Sequence, residues 1–266
     1  MTSINTSSSY IDTGNKLSQT YSQVSSGKRI NSAADDPAGL AIATRFSSQI
    51  SGSQQAQRNG LDAKSLIETE DGALAQISSG LERLQELAVQ QGNGILNDTD
   101  RAALAKEASQ ISEQINQVLE QSSFNDKKLF QTSDNAQGSN FQLGDKAGDI
   151  ISLTANVTAD PIKEALEQLD FSNPDSGDNL TNLDALQQQV TERRSELGAV
   201  NNRIDSSIEQ LANEEEQTLS ARSRVEDADI AELVSQMVIE QVKQQVQTAV
   251  QGQANASAED TLRLLS

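Results

Sequence analysis

The 266-residue chain contains no cysteine, no histidine and no tryptophan, and only three prolines. Without cysteine there is no disulfide, no thiol nucleophile and no thiolate metal site. Without histidine the Ser-His-Asp and Cys-His arrangements, the commonest general base and the usual zinc sites are excluded. So few prolines permit long uninterrupted helices. Aromatic residues are 3% and apolar residues 35% of the chain, so burial must rest on many aliphatic and small side chains rather than on a bulky core. Such a composition suits long helical assemblies. It also borders on chains that fold only against a partner. No run of about 18 apolar residues occurs, so no transmembrane helix is read. The stretch "MTSINTSSSYIDTGNK" has no apolar region of a cleaved leader.

What is present is acidic charge, unevenly placed. The net charge is −19. Residues 1–58 sum to +2 and 230–266 to −2, so the middle, 59–229, carries −19. Nucleic acid would need the opposite sign, so no nucleic-acid role is expected. An acidic middle resists non-specific association. Nearly neutral, amphipathic ends can be packed away from water.

Hydrophobic periodicity then organises the chain. A sparse row, Tyr10, Leu17 and Val24 at spacing seven, marks a first helix crowded with Ser and Thr, a poor helix alone. It is expected to stop near Ser26, with Gly27 as cap. Asp36 before Pro37 reads as N-cap and first helical position, so a second helix runs over 37–92. Its later half repeats Ile67, Leu74, Leu81 and Ala88, interleaved with Ile77 and Leu84, as a coiled-coil seam requires. After "GNGILNDTD", Asp98, Thr99 and Asp100 are expected to cap a third helix. Alternation in "SNFQLGDKAGDIISL" predicts one β-hairpin near 140–154, and "DFSNPDSGDN" reads as loop. Leu183, Val190, Leu197, Ile204, Leu211, Thr218 and Val225 then recur at spacing seven. Past "EDAD" follows a Gln-rich amphipathic helix with Ile230, Val234, Val238, Val242 and Val246. No metal cluster, phosphate loop, dinucleotide fingerprint or zinc-protease motif is found, and neither enzymatic activity nor a cofactor is expected.

The stretch "SSGKRINSAADDPAGLAIATRF" (25–46) places two adjacent carboxylates beside a glycine and two cations. It lacks the ligand spacing of a calcium loop, so a helix-cap joint is the expected role. Asn31, Ser32, Asp35 and Asp36 would satisfy turn and helix-end backbone groups.

That stretch resembles the signature near the N-terminus of bacterial flagellins. So does "LERLQELAVQ" (81–90). "ELGAVNNRIDSSIEQL", "LSARSRVEDADIAE" and "QANASAEDTLRLL" resemble the flagellin C-terminal region, in order. The likeness covers roughly 1–155 and 183–266. It implies a mainly α fold: long antiparallel helices in a coiled-coil-like bundle with a small β-hairpin, the terminal helices pairing as an inner coiled coil. The implied organisation is 1–34 as N-terminal inner helix and 35–155 as middle helical domain. Residues 156–182 would be a short exposed segment in place of outer domains. Residues 183–226 would be the return helix and 227–266 the C-terminal inner helix. Function is implied too: a structural subunit polymerising into the flagellar filament for motility, its terminal helices ordering on assembly to line the lumen. The alternative is a hook–filament junction protein, which shares the terminal helices and forms no long polymers.

The resemblance assigns residues. Lys28, Arg29, Asn31, Asp35, Asp36 and Pro37 form an assembly joint. Tyr10, Leu17, Val24, Val234, Val238, Val242, Leu262 and Leu265 serve inner-helix assembly. In many flagellins the surface matching Glu82, Arg83, Glu86, Leu87 and Glu107 is read by an innate-immune Toll-like receptor; a second Arg of that motif is Gln85 here. The plainer reading of Arg83 is a subunit contact or a solvated face. Implied partners are other flagellin subunits, an export chaperone at the C-terminal helix, and the filament-cap and hook–filament junction proteins; no membrane partner is expected. The implied location is extracellular, reached through the flagellar secretion channel without a cleaved signal peptide. The family's usual "QANQ", with a proline two residues on, is here "QANA" with Ala258, which touches fine contacts and not the fold.

Overall fold

The computed structural model describes the backbone of residues 2–131, 137–156, 159–172 and 177–265, and the side chains of 12–131, 137–156, 159–172 and 178–257. Its elements in chain order are α1 (Thr2–Ser26), α2 (Pro37–Gln91), α3 (Asp98–Gln121), β1 (Ser123–Phe124), β2 (Lys127–Lys128), β3 (Ser139–Gln142), β4 (Ile150–Leu153), α4 (Ala159–Glu167), α5 (Gly177–Glu226) and α6 (Ile230–Leu265). Two compact units form: residues 1–51 with 215–266, and 52–214. The expected boundaries at 34/35 and 226/227 fall on breaks between helices. The division by packing instead falls inside α2 and α5, because the first turns of α2 and the last turns of α5 belong with the chain ends.

In the 52–214 unit the two seams found in the sequence face inward. Ile67, Leu74, Ile77, Leu81, Leu84 and Ala88 of α2 are buried, as are Leu183, Val190, Leu197 and Ile204 of α5. Each Leu, Ile or Val among them contributes about 1.5–3 kcal/mol on leaving water. Helix α3 adds Leu104, Ala108, Ile115 and Leu119. A Cβ on Gly80 would stand 2.8 Å from Ile115, so glycine is what lets α2 and α3 approach there. The N-cap of α3 is Asn97, one residue before the expected trio. Its side chain accepts from the Asp100 N–H at 2.9 Å while the Asp100 carboxylate accepts from the Asn97 N–H at 3.3 Å, a reciprocal capping box.

The expected hairpin is β3–β4, antiparallel with Phe141 opposite Ile151; Leu143, Ile151 and Leu153 turn into the core. A second, smaller hairpin, β1–β2, was not expected. Asn125 and Asp126 both take positive φ, 50° and 62°, which closes a two-residue turn of the kind Asn and Asp accept. Nor is 156–182 simply an exposed segment. It contains α4, whose Ala159, Ile162 and Leu166 are buried, and Phe171 is buried after it. The apolar spacing in "PIKEALEQLDF" is helical, and the adjacent Asn/Asp/Pro/Gly cluster obscured it. Beyond α4, the Asn179 amide donates to Gln91 Oε1 at 3.0 Å and to the Asp170 carbonyl at 2.8 Å, tying the end of α2 to the start of α5.

In the other unit α1 packs against α6, antiparallel, as the contacts of 27–29 with 226–228 require. The buried row on α1 is Thr13, Leu17 and Thr20, with Val24 half-buried. Among the described residues no helix is long and apolar enough to cross a membrane.

Candidate assembly surfaces

The joint begins where α1 ends. Gly27 takes φ +70° and its N–H donates to the Gln23 carbonyl at 2.9 Å, a left-handed helix stop that glycine adopts without strain. The chain then lies against the α5–α6 connection. The Arg29 N–H donates to the Glu226 carbonyl at 2.7 Å, and the Ala228 N–H to the Gly27 carbonyl at 3.1 Å. Lys28 Nζ meets Glu226 at 2.5 Å, with the Glu226 side chain only 11% exposed. The Arg29 guanidinium donates to the Val225 carbonyl at 2.8 Å. Both cations of the joint therefore clasp the C-terminal half of the same chain.

The carboxylate pair has two separate tasks. Asp35 Oδ2 accepts from the N–H groups of Asn31 and Ser32 at 3.1 and 2.9 Å, and Oδ1 accepts from Gln19 at 2.8 Å. The Asn31 backbone bond, then those of Ser32, hold its carboxyl below the usual range. Asp36 accepts from the Gly39 N–H at 2.9 Å, the N-cap bond of α2, with Pro37 at the first helical position. A Cβ at Gly39 would lie 2.4 Å from Asp36 Oδ2, so a side chain there would have to displace the capping carboxylate. Asn31 reaches Ser22 at 3.4 Å. Among the described residues no group of acidic side chains could hold a metal ion.

On α6 the side toward α1 is mostly polar. Leu233 is buried, and Met237, Glu240, Gln244, Gln247 and Gln251 are half-buried, at alternating spacings of four and three. Most of the apolar residues lie elsewhere. Ile230, Val234, Val238, Val242, Val246 and Val250 are each between 39 and 56% exposed. A step of four residues turns about 40° round a helix, so this row winds about 200° round the part of α6 that α1 leaves free. The residues assigned to inner-helix assembly thus divide. Leu17 and Val24 contribute to the intrachain seam, Val234, Val238 and Val242 are uncovered, and Tyr10, Leu262 and Leu265 lie outside the described side chains.

Arg83 of α2 sits between two carboxylates, Glu107 of α3 and Glu86, each at 2.6 Å, which raise its pKa, Glu107 most. Glu82, Arg83 and Glu86 are exposed and Glu107 half-exposed. Leu87 is not on this surface. It is 1% exposed because, three residues after Leu84, it points with the seam into the core, so the expected surface loses its apolar member.

One buried polar pair lies outside every motif of the sequence. Glu70 of α2 and Arg193 of α5 meet at 2.8 Å with side chains 3 and 6% exposed. Asn156 donates to the same carboxylate oxygen at 2.8 Å. Arg193 further contacts Glu196 at 2.9 Å and the Thr154 carbonyl at 3.1 Å. The signal was there: Glu70 interrupts the α2 seam between Ile67 and Leu74, and Arg193 interrupts the α5 seam between Val190 and Leu197. Opposite charges filling gaps in two facing seams imply a buried pair.

Two family descriptions match. Residues 1–135 match the bacterial flagellin N-terminal helical region and 180–265 the bacterial flagellin C-terminal helical region. The chain belongs to the bacterial flagellin family. The flagellin of Halalkalibacterium halodurans is 37% identical over 256 residues, covering 94% of this chain and 92% of that one. The flagellar filament core protein flaB2 of Brachyspira hyodysenteriae is 31% identical, with 94% and 92% covered. The crystal structure of Bacillus cereus flagellin superposes with a TM-score of 0.54 at 30% identity, over 58% of this chain and 88% of that one. In this flagellin-family chain the joint and the α6 row are therefore the surfaces to weigh for assembly.

Proposed function

We infer that the chain is the structural subunit of a flagellar filament, built by head-to-tail docking of copies whose rotation does not close. The observation that carries this reading is the apolar row of α6. A valine row winding over three sides of one helix cannot be covered by a single partner helix, and α1 already occupies the fourth side with polar residues. Neighbouring copies on more than one flank cover it. Among the described residues the α1–α6 seam buries few large apolar groups, so the pair is marginal alone and gains its order on assembly. The ends then line the lumen. Export through the flagellar channel, an export chaperone on α6, and contacts with cap and junction proteins belong to the same reading. The Arg83 surface is a candidate receptor contact without Leu87.

Seeding purified monomer with filament fragments tests the reading. Long filaments are expected by electron microscopy. Val238→Asp and Val242→Asp should abolish them while leaving the circular dichroism of the monomer unchanged. Parent chain that stays monomeric with seeds would favour the junction protein, and unimpaired filaments from both variants would remove α6 from the contact.

A further inference from the structure

The chain contains two Asn-Gly pairs, Asn59–Gly60 and Asn93–Gly94. This dipeptide has a chemistry of its own. The glycine backbone nitrogen can attack the asparagine side-chain carbonyl carbon, since no Cβ hinders its approach. The two pairs stand in opposite surroundings.

Asn59 lies inside α2, where the Gly60 N–H is held in the helical hydrogen-bond ladder. Its side chain donates to the Gln142 carbonyl at 3.1 Å and accepts from Gln55 at 2.9 Å. Gly60 is buried, and a Cβ there would stand 2.9 Å from Ile208 and Leu143. Neither the nucleophile nor the carbonyl carbon can move toward the other without opening the helix.

Asn93 lies in the turn between α2 and α3, and residues 92–95 are all exposed. Its backbone is fixed by bonds from Asn93 N–H to the Gln90 carbonyl at 3.1 Å and from Leu96 N–H to the Asn93 carbonyl at 3.2 Å. Its side-chain oxygen accepts from the Ile95 N–H at 3.3 Å. That bond curls the carbonyl back across the Gly94 peptide and draws electron density from the carbon to be attacked. Among the described residues the Gly94 N–H has no hydrogen-bond partner, and a Cβ on Gly94 would meet nothing within 4 Å.

We propose that Asn93 is a site of spontaneous deamidation, and that the fold protects Asn59. The Gly94 nitrogen loses its proton to solvent base and bonds to Asn93 Cγ. The Cγ–Nδ2 bond breaks, ammonia leaves with a solvent proton, and a five-membered succinimide remains. Water then adds to one of its two carbonyls and breaks that carbon's bond to the ring nitrogen, giving aspartate or isoaspartate. No oxidant or reductant is involved. Each event adds one negative charge to the turn, and the isoaspartate product lengthens the backbone by one carbon. Copies that are not turned over thereby come to differ from new ones at this turn.

The experiment holds purified full-length monomer in mildly alkaline buffer, samples it over time, and follows both asparagines by proteolysis and mass spectrometry. Enzymatic methylation of isoaspartate serves as a second readout. Asn93 should convert at least about tenfold faster than Asn59, a ratio that a local opening cost of only about 1.4 kcal/mol at Asn59 already imposes. In urea the two rates should converge. Gly94→Ala, which the open turn accommodates, should suppress conversion at Asn93. Equal rates at both sites in the folded chain, or an Asn93 rate unchanged by Gly94→Ala, would overturn the proposal.

Discussion

At the residue scale the buried Glu70–Arg193 pair is asymmetric. Arg193 keeps Glu196 and the Thr154 carbonyl if Glu70 loses its charge, whereas among the described residues Arg193 is the one cation paired with Glu70. Arg193→Met should therefore cost about 3–5 kcal/mol, the range for stranding a buried charge, measured by urea unfolding. Glu70→Gln should cost far less. Burial pushes the Glu70 carboxyl up from its ordinary 4.5, more than Arg193 pulls it down. A raised folded-state value gives stability that is fully present below 4.5 and is lost as pH rises through the folded value. Stability should thus rise as pH falls from neutral toward 4.5, a gain that Glu70→Gln lacks. Asp35 works in the opposite sense. Its value is depressed, so its contribution is present above the ordinary 3.8 and disappears as pH falls through the folded value. Parallel pH titrations of unfolding for the parent, Glu70→Gln and Asp35→Asn separate the two, and identical curves would refute both assignments.

At the element scale helix ends carry the specificity. Asn97→Ala removes half of a reciprocal capping box and should lower stability by about 1 kcal/mol. Asp98→Ala, one residue later, should cost less. A thermal melt distinguishes them, and equal losses would return the cap to the later trio. Gly39→Ala should displace the Asp36 cap and loosen the start of α2, seen as faster hydrogen exchange at Gly39 and Leu40; unchanged exchange would mean that the cap adapts. The long seams were legible because seven-residue spacing survives for many turns. Helix α4 and the β1–β2 hairpin were not, because one is short and the other rests on a two-residue Asn-Asp turn. The same scale explains Leu87, where a motif match suggested surface and helical phase dictates core.

At the scale of the whole molecule, charge and apolar surface are segregated. The acidic middle opposes non-specific association, while the uncovered row of α6 lies in a nearly neutral end. Removing residues 254–266 should block polymerisation while residues 52–214 stay folded, checked by sedimentation for polymer and circular dichroism for the bundle. Arg29→Glu breaks its bond to the Val225 carbonyl and sets a carboxylate against that carbonyl. It should reduce filament yield with little change in the melting of the bundle, and a variant whose bundle unfolds would reveal a purely local role.

Sequence alone determined the mainly helical class, the seams, the break at Gly27–Pro37 and the exclusion of histidine and thiol chemistry. These follow from composition and from periodicities of 3.5 and 2, which need no knowledge of partners. Only the tertiary structure decided that Lys28 and Arg29 clasp the same chain, that Glu70 and Arg193 neutralise each other inside the bundle, and that the valines of α6 face away from α1. Each depends on residues more than a hundred positions apart, or on which side of a helix its neighbour occupies. Spacing along one strand of sequence does not contain that choice, because the same row of valines could have faced α1.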